Sequence, residues 1–301
     1  MFFQELYVSG YKRIKTHHYI PKALLKHFTV NNDEKSIWYS DKSIDTGNFR
    51  KPELRNINSV FRVKNLYTVI VNGKPSDIVE RNHYGSIDNY LGVVLPLIID
   101  ALNKGDIPDL SSESLNDMRR TVIEMFKRTP HFGSEQTPEQ VGRRAISEIL
   151  NENIKTLTDQ EVMVLKNNLE DKRYLIEIGR SIITNAKIKK MPLVEGALDK
   201  YSIRWVETES KHSFILSSIC CYRIGNGGPN GLGNANTEVW MPISPRYCMV
   251  MLQDPFGMIP LRVSIDQKKT REVNEFAAMY SGSVASHSKS LIESLTRQKA
   301  K

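Results

Sequence analysis

The sequence predicts an α+β chain: an N-terminal mixed region, a central helical bundle, and a C-terminal antiparallel sheet closed by a terminal helix. Two observations carry this. From Ser76 to about residue 191 the apolar residues recur at spacings of three and four, the mark of amphipathic helices. Beyond Pro192 they gather instead into short runs rich in β-branched and aromatic residues. With 301 residues and 40% hydrophobic content the chain is long enough to bury a core. No long Pro-, Gly- or Ser-rich linker interrupts it. One folded unit, 1–301, is therefore expected, with segments 1–75, 76–191 and 192–301 and a soft boundary near residue 192.

In the first segment, Pro21 suits the first position of a helix, where its missing N–H costs nothing, and Leu24, Leu25 and Phe28 supply that helix with a one-sided apolar stripe. Ser36–Ser40 reads as a strand, and Phe61–Val63 and Leu66–Val71 as further strand ahead of an Asn72-Gly73 turn. The middle opens with a helix whose buried face is Ile87, Leu91, Val94, Leu95, Ile98 and Leu102, ended by Gly105 and Pro108. A second helix is capped by Ser111 or Ser112 and closes at Arg128-Thr129-Pro130. A third starts at Thr137, where Gln140 completes a capping box, and runs to about Asn151. The fourth extends from near Thr158 to about Asn185, with a phase shift of its stripe around Asp171. Past Pro192, strands are expected at Tyr201–Val206, Ser213–Ile219, Thr237–Ile243 and Cys248–Leu252. A final helix carries Val273, Phe276, Ala277, Tyr280, Val284 and Leu291.

The charge balance is basic, 42 Lys and Arg against 34 Asp and Glu, for a formal net charge of +8 and a pI near 9.2. This draws a protein toward polyanions, so nucleic acid is a candidate partner, although many basic proteins bind none. The three cysteines, Cys220, Cys221 and Cys248, form no metal-ligand spacing and lie in apolar settings. They read as buried inert thiols of a reducing cytoplasm. Residues 1–10 lack the features of a signal peptide. No apolar run approaches membrane-spanning length, since the best candidate, Leu91–Ala101, is interrupted by Pro96 and ends at Asp100, so no membrane partner is expected. The sequence assigns no metal-ligand set and identifies no cofactor or oligomeric state.

Chemistry concentrates in Thr16–Phe28, which holds His17, His18 and His27 beside Lys22 and Lys26. If the segment before the helix is extended, His17 and His18 point to opposite sides, so one lines a site while the other packs. An imidazole is suited to general acid or base work at neutral pH, and Lys22 and Lys26, sharing a helix face, would hold a phosphate or other anion. The competing reading makes the histidines structural and the lysines solvated, and for His27 this is the favoured one. Arg128 and His131, at and beyond the end of the second long helix, are further anion-binding candidates, Arg128 through bidentate geometry. Their bland role is to complement the helix dipole, together with Arg119, Arg120 and Lys127. Glu80 and Asp88, two turns apart on one helix face, are the candidate carboxylate partners. The Gly-rich loop Gly225–Asn234 is followed by a strand rather than a helix, so it reads as a hairpin connection, not a phosphate cradle. Tyr280-Ser281-Gly282-Ser283-Val284 reads as helix packing, not a nucleophile elbow.

His18-Tyr19-Ile20-Pro21-Lys22-x-Leu24-Leu25-x-x-Phe28, Ile37-Trp38-Tyr39, Arg128-Thr129-Pro130-x-Phe132 and Pro242-Ile243-Ser244-Pro245, in that order, resemble the bacterial domain-of-unknown-function family numbered four-two-three-eight. The resemblance spans most of the chain and implies a His-Tyr-x-Pro opening, a helical middle and a late sheet. It implies no activity. Where that family tends toward Ser-Asp-x-Pro in the late sheet, this chain has Ser217-Ser218-Ile219-Cys220-Cys221, without the carboxylate.

Two functions follow. In the first, the protein is a phosphodiester-cleaving hydrolase with His17 or His18 as acid or base and Lys22, Lys26, Arg128 and His131 on phosphate. In the second, it is a non-catalytic binding or regulatory protein whose histidine motif is a structural plug.

Overall fold

The computed structural model describes residues 13–130, 132, 136–209, 211–225 and 231–297. In chain order the N-terminal elements are β1 (Thr16–His18), α1 (Lys22–Lys26), β2 (Ser36–Asp41), β3 (Glu53–Asn56), β4 (Arg62–Lys64), β5 (Val69–Val71) and β6 (Lys74–Ser76). A π-helical turn, Val79–Tyr84, leads into α2 (Gly85–Lys104), followed by α3 (Ser112–Arg128), α4 (Pro138–Asn153), α5 (Asp159–Glu170), α6 (Lys172–Ile188) and α7 (Pro192–Leu198). Then come β7 (Tyr201–Thr208), β8 (Leu216–Ser217), β9 (Tyr222–Gly225), β10 (Thr237–Pro242), β11 (Tyr247–Gln253), β12 (Arg262–Ile265), α8 (Gln267–Tyr280), β13 (Ser283–Ser286) and α9 (Lys289–Thr296). The fold is α+β, as the periodicities imply.

The chain divides into two compact units; one break, after Ile188, lies close to the soft boundary expected near 192, while none falls at 75 and each unit draws on more than one of the three expected segments. The first comprises the residues up to His17, Val63–Gly85 and Ser134–Ile188; the second comprises His18–Arg62, Ser86–Gly133 and everything from Lys189 onward. The division cuts β1 between its two histidines. Periodicity reports which face of an element is buried, not against which partner, so an interleaved division leaves no trace in it.

In the first unit, α4, α5 and α6 close around Ile146, Leu150 and Leu175, with Val162, Leu165 and Leu169 packed against them. The expected capping box, Thr137 with Gln140, forms, and α5 starts on a second one, Thr158 with Glu161. The phase shift at Asp171 is a helix break. Asp171 leaves helical geometry (φ −87°, ψ 93°) and its Oδ1 accepts from the N–H groups of Arg173 and Tyr174 at 2.9 and 3.0 Å, which starts α6. Two glycines set how closely α4 and α6 approach. A Cβ on Gly142 would lie 2.1 Å from the Leu175 carbonyl oxygen, and one on Gly179 only 1.7 Å from that of Pro138. The β5–β6 hairpin turns at Asn72-Gly73, both at positive φ, and rests on α6 through Ile70 N–H donating to Ser181 Oγ at 3.1 Å.

The second unit holds two sheets. One has the order β12-β7-β11-β10-β9, the other β3-β2-β13-β8. The expected late sheet is thus corrected in two respects: β12 runs parallel to β7, and residues 36–56 share a sheet with residues 216–217 and 283–286. The expected final helix is also corrected. It is α8, then β13, then α9, because Ser281 is extended (φ −105°, ψ 153°) and the chain re-enters a sheet, where all four residues of β13 are buried. A strand buried on both faces shows no alternation, so its apolar residues fall by chance into helical spacing. The β9–β10 pairing joins the two sides of the Gly-rich loop as a hairpin. By length and composition the segment Val79–Lys104 is apolar enough to cross a bilayer, which the run Leu91–Ala101 alone did not suggest. Leu91, Val94, Leu95, Ile98 and Leu102 of α2 are buried in the fold, the face the periodicity marked.

Candidate functional site

Polar groups converge in two places, one in each unit. In the first unit His17 is fully buried. Its Nδ1 accepts from the Tyr67 N–H at 2.8 Å, so Nε2 carries the proton and donates to the Ile14 carbonyl at 3.0 Å. The ring stacks on Tyr67, with centroids 5.5 Å apart and planes 9° from parallel. Tyr67 in turn meets Tyr84 at 4.2 Å, and the Lys187 ammonium lies over the Tyr67 ring at 5.7 Å. Burial pushes the Lys187 amine down to about 8. The π-helical turn supplies Tyr84 and Glu80, whose Oε2 is buried. π-Turns recur at functional positions because the extra residue re-aims side chains.

In the second unit, His18 is half-buried and its Nε2 is out of reach of solvent. Burial, then the nearby Lys22, Arg128 and Arg62 charges, lower its pKa to about 4 against the opposing pull of the Ile57 backbone, so the ring is neutral at neutral pH. Behind it Arg128 is completely buried at the end of α3. Its Nε donates to the His18 carbonyl at 3.0 Å, and its two terminal nitrogens clasp Asp88 of α2, Nη2 to Oδ2 at 3.1 Å. The guanidinium is thereby committed to protein groups and fixes α2 and β1 by one side chain. Lys127 is buried beside it and bonded to Glu124 and the Lys189 carbonyl, so neither residue is part of a solvated basic face.

Asp88, with its side chain about one-third exposed, faces an open cleft of 770 Å³ between α1, α2 and the β10–β11 turn. Lys22 and Lys26 line it from α1, as their shared helix face implies, together with Asn89 and Asn103 from α2 and Ser244 and Arg246 from the turn. Lys26 pairs with Glu34 at 2.7 Å; Lys22 makes no ion pair among the described residues. Arg246 donates through Nε to Glu207 at 2.8 Å, but Glu207 is shared with Arg262. Burial raises the Glu207 pKa, and hydrogen bonds from the two arginines outweigh it and hold the carboxyl below its ordinary value. His27 also lines the cleft, its pKa lowered by burial.

The expected site residues therefore separate. Lys22, Lys26 and Asp88 share the cleft, with Arg128 and His18 behind Asp88. His17 and Glu80 belong to the first unit. Glu80 and Asp88 were paired on the assumption of one uniform helix, but a π-turn carries one and α2 the other. His131 lies outside the described residues. Sequence reasoning missed Asn89, Asn103, Arg246, Tyr67 and Lys187, since neither amides on an amphipathic helix nor a lysine at a helix end stand out. One signal was present: Ser244-Pro245 was read only as part of the resemblance, and it borders the cleft.

The cleft and its buried arginine define an α+β protein with a preformed binding-sized concavity. No curated protein and no solved structure matches the chain. The family described as "Protein of unknown function (DUF4238)" matches residues 16–291, nearly the whole chain, and the protein belongs to it.

Proposed function

We propose that this chain is a non-catalytic binding protein, in which the His17-His18 motif is structural and the cleft between α1, α2 and the β10–β11 turn receives a small polar ligand. The observation that carries this reading is the withdrawal of both imidazoles. His17 has both ring nitrogens bonded to backbone groups in the first unit, and His18 is neutral and set behind the cleft's lining. The cleft has the size of ordinary small-molecule sites. Three free, buried thiols suit a cytoplasmic location.

A second reading, a phosphodiester-cleaving hydrolase acting on nucleic acid, draws on the buried Lys187 amine, which lies over the Tyr67 ring that stacks on His17, and on the buried Glu80 carboxyl of the same unit. Incubating the purified chain with RNA and with DNA, with and without a divalent cation, separates the two. No cleavage is expected, while a thermal-shift screen of small polar molecules finds compounds that raise the melting temperature. Cleavage that disappears in His17→Asn or His18→Asn protein with an unchanged circular dichroism spectrum would overturn the proposal.

A further inference from the structure

Charge accounting around the cleft leaves two positive ends. The Asp88 charge is matched by Arg128 behind it and the Lys26 charge by Glu34. Lys22, on α1, makes no ion pair among the described residues. At the other end one carboxylate, Glu207, serves two guanidiniums, those of Arg246 and Arg262, so the Arg246 end carries an excess positive charge. Side chains of opposite formal sign thus cancel along the walls but not at these ends.

The hydrogen-bond inventory has the same bias. Tyr247 O–H donates to Asn103 Oδ1 at 3.1 Å, which uses one acceptor position of the amide and leaves its N–H₂ group. Ser244 Oγ accepts from the N–H groups of Arg246 and Tyr247 at 3.3 and 3.0 Å, which leaves its own O–H to donate. With Asp88 and Glu34 already paired to Arg128 and Lys26, the two ends of the cleft offer ammonium, guanidinium, amide N–H and hydroxyl donors, which suit a ligand that brings acceptors.

Resting on the binding reading above, we infer that the ligand is a small dianion, with one acidic group held by Lys22 and the other by Arg246. Both cations are exposed, so they can be replaced without opening a core. Glu207 keeps Arg262 when Arg246 is changed.

The test is isothermal titration of the full chain with glutarate, succinate, butyrate and adenosine. The two dianions are expected to bind, butyrate about tenfold more weakly or worse, and adenosine not at all. Lys22→Gln and Arg246→Gln should each weaken dianion binding by about tenfold, toward the butyrate level, with unchanged melting temperature. Butyrate or adenosine binding as tightly as the dianions, or affinity unmoved by both substitutions, overturns the dianion and leaves the binding reading standing. No binding by any of the four probes overturns the dianion and the binding reading together, and turnover of a bound probe overturns the non-catalytic reading alone.

Discussion

The two units handle polar groups in opposite ways. In the first, a histidine, two tyrosines and a lysine are packed out of contact with water, and His17 spends both nitrogens on backbone partners. In the second, the largest buried side chain, Arg128, serves as a brace, while the lysine, amide and arginine side chains of the cleft wall stay accessible. A buried polar cluster must be fully bonded to be tolerated, which makes it rigid and specific. An open wall carries no such requirement and is free to meet a ligand. The difference teaches that richness in titratable residues does not by itself locate a binding surface.

Close packing in the first unit is where the comparison is most easily broken. Gly179→Ala places a methyl group 1.7 Å from the Pro138 carbonyl oxygen, where neither backbone can yield without moving α4 against α6. The substitution should cost about 3 kcal/mol or more, well above the roughly 1 kcal/mol that alanine returns through helix propensity. Urea unfolding followed by circular dichroism measures it; a loss under about 1 kcal/mol would mean the helices approach less tightly than described. In the second unit the corresponding weak point is electrostatic. Arg128→Met leaves the Asp88 carboxylate and the His18 carbonyl without their donor, at a cost of about 3 kcal/mol, the low end for a buried pair because Asp88 is partly exposed. Arg128→Met combined with Asp88→Leu should recover much of it.

A smaller effect separates the histidines by pH. The folded His18 pKa, about 4, lies below its ordinary 6.5, so between these values the unfolded chain binds a proton that the folded chain does not. Stability is then complete above about pH 6.5 and falls as the pH drops toward 4, by about 2 kcal/mol after discounting for partial exposure. His18→Gln should flatten this part of the profile in melting experiments between those pH values. His27 and His287, also lowered by burial, supply a remaining slope. An unchanged profile in His18→Gln would place the acid sensitivity elsewhere.

The sequence was most legible where one residue type does one local job. The capping box at Thr137, the helix start near Thr158, the Asn72-Gly73 turn and the buried face of α2 all depend on neighbours within a few positions. Strand geometry also sets His17 and His18 on opposite sides, and their surroundings differ: Tyr67 meets the one, and Lys22 and the Ile57 backbone lie about the other. What was not legible depends on partners far along the chain. Arg128 reads as an available cation until Asp88, 40 residues away, is found in its grip. Val284 and Ala285 read as helix because strand burial on both faces erases the period-two signal. The positive end at Arg246 exists only because β7 brings Glu207 between two arginines that lie 16 residues apart in sequence, Arg246 and Arg262.

The finest comparison uses the same substitution in the other unit. Gly92 lies on α2 in the cleft wall, and a Cβ there would meet only the Ala23 methyl, at 3.9 Å, an ordinary contact. Nothing in its backbone demands glycine, since its φ is not in the left-handed region. Gly92→Ala should therefore raise stability by about 0.5–1 kcal/mol, opposite in sign to Gly179→Ala. A helix that forgoes this stabilisation at a cleft wall is consistent with close approach of a ligand to the backbone. Gly92→Ala should then also weaken binding of glutarate by a few-fold while it raises the melting temperature. Higher stability with unaltered affinity would show that the glycine serves only the α1–α2 packing, and would move the ligand's contact toward the Arg246 end of the cleft.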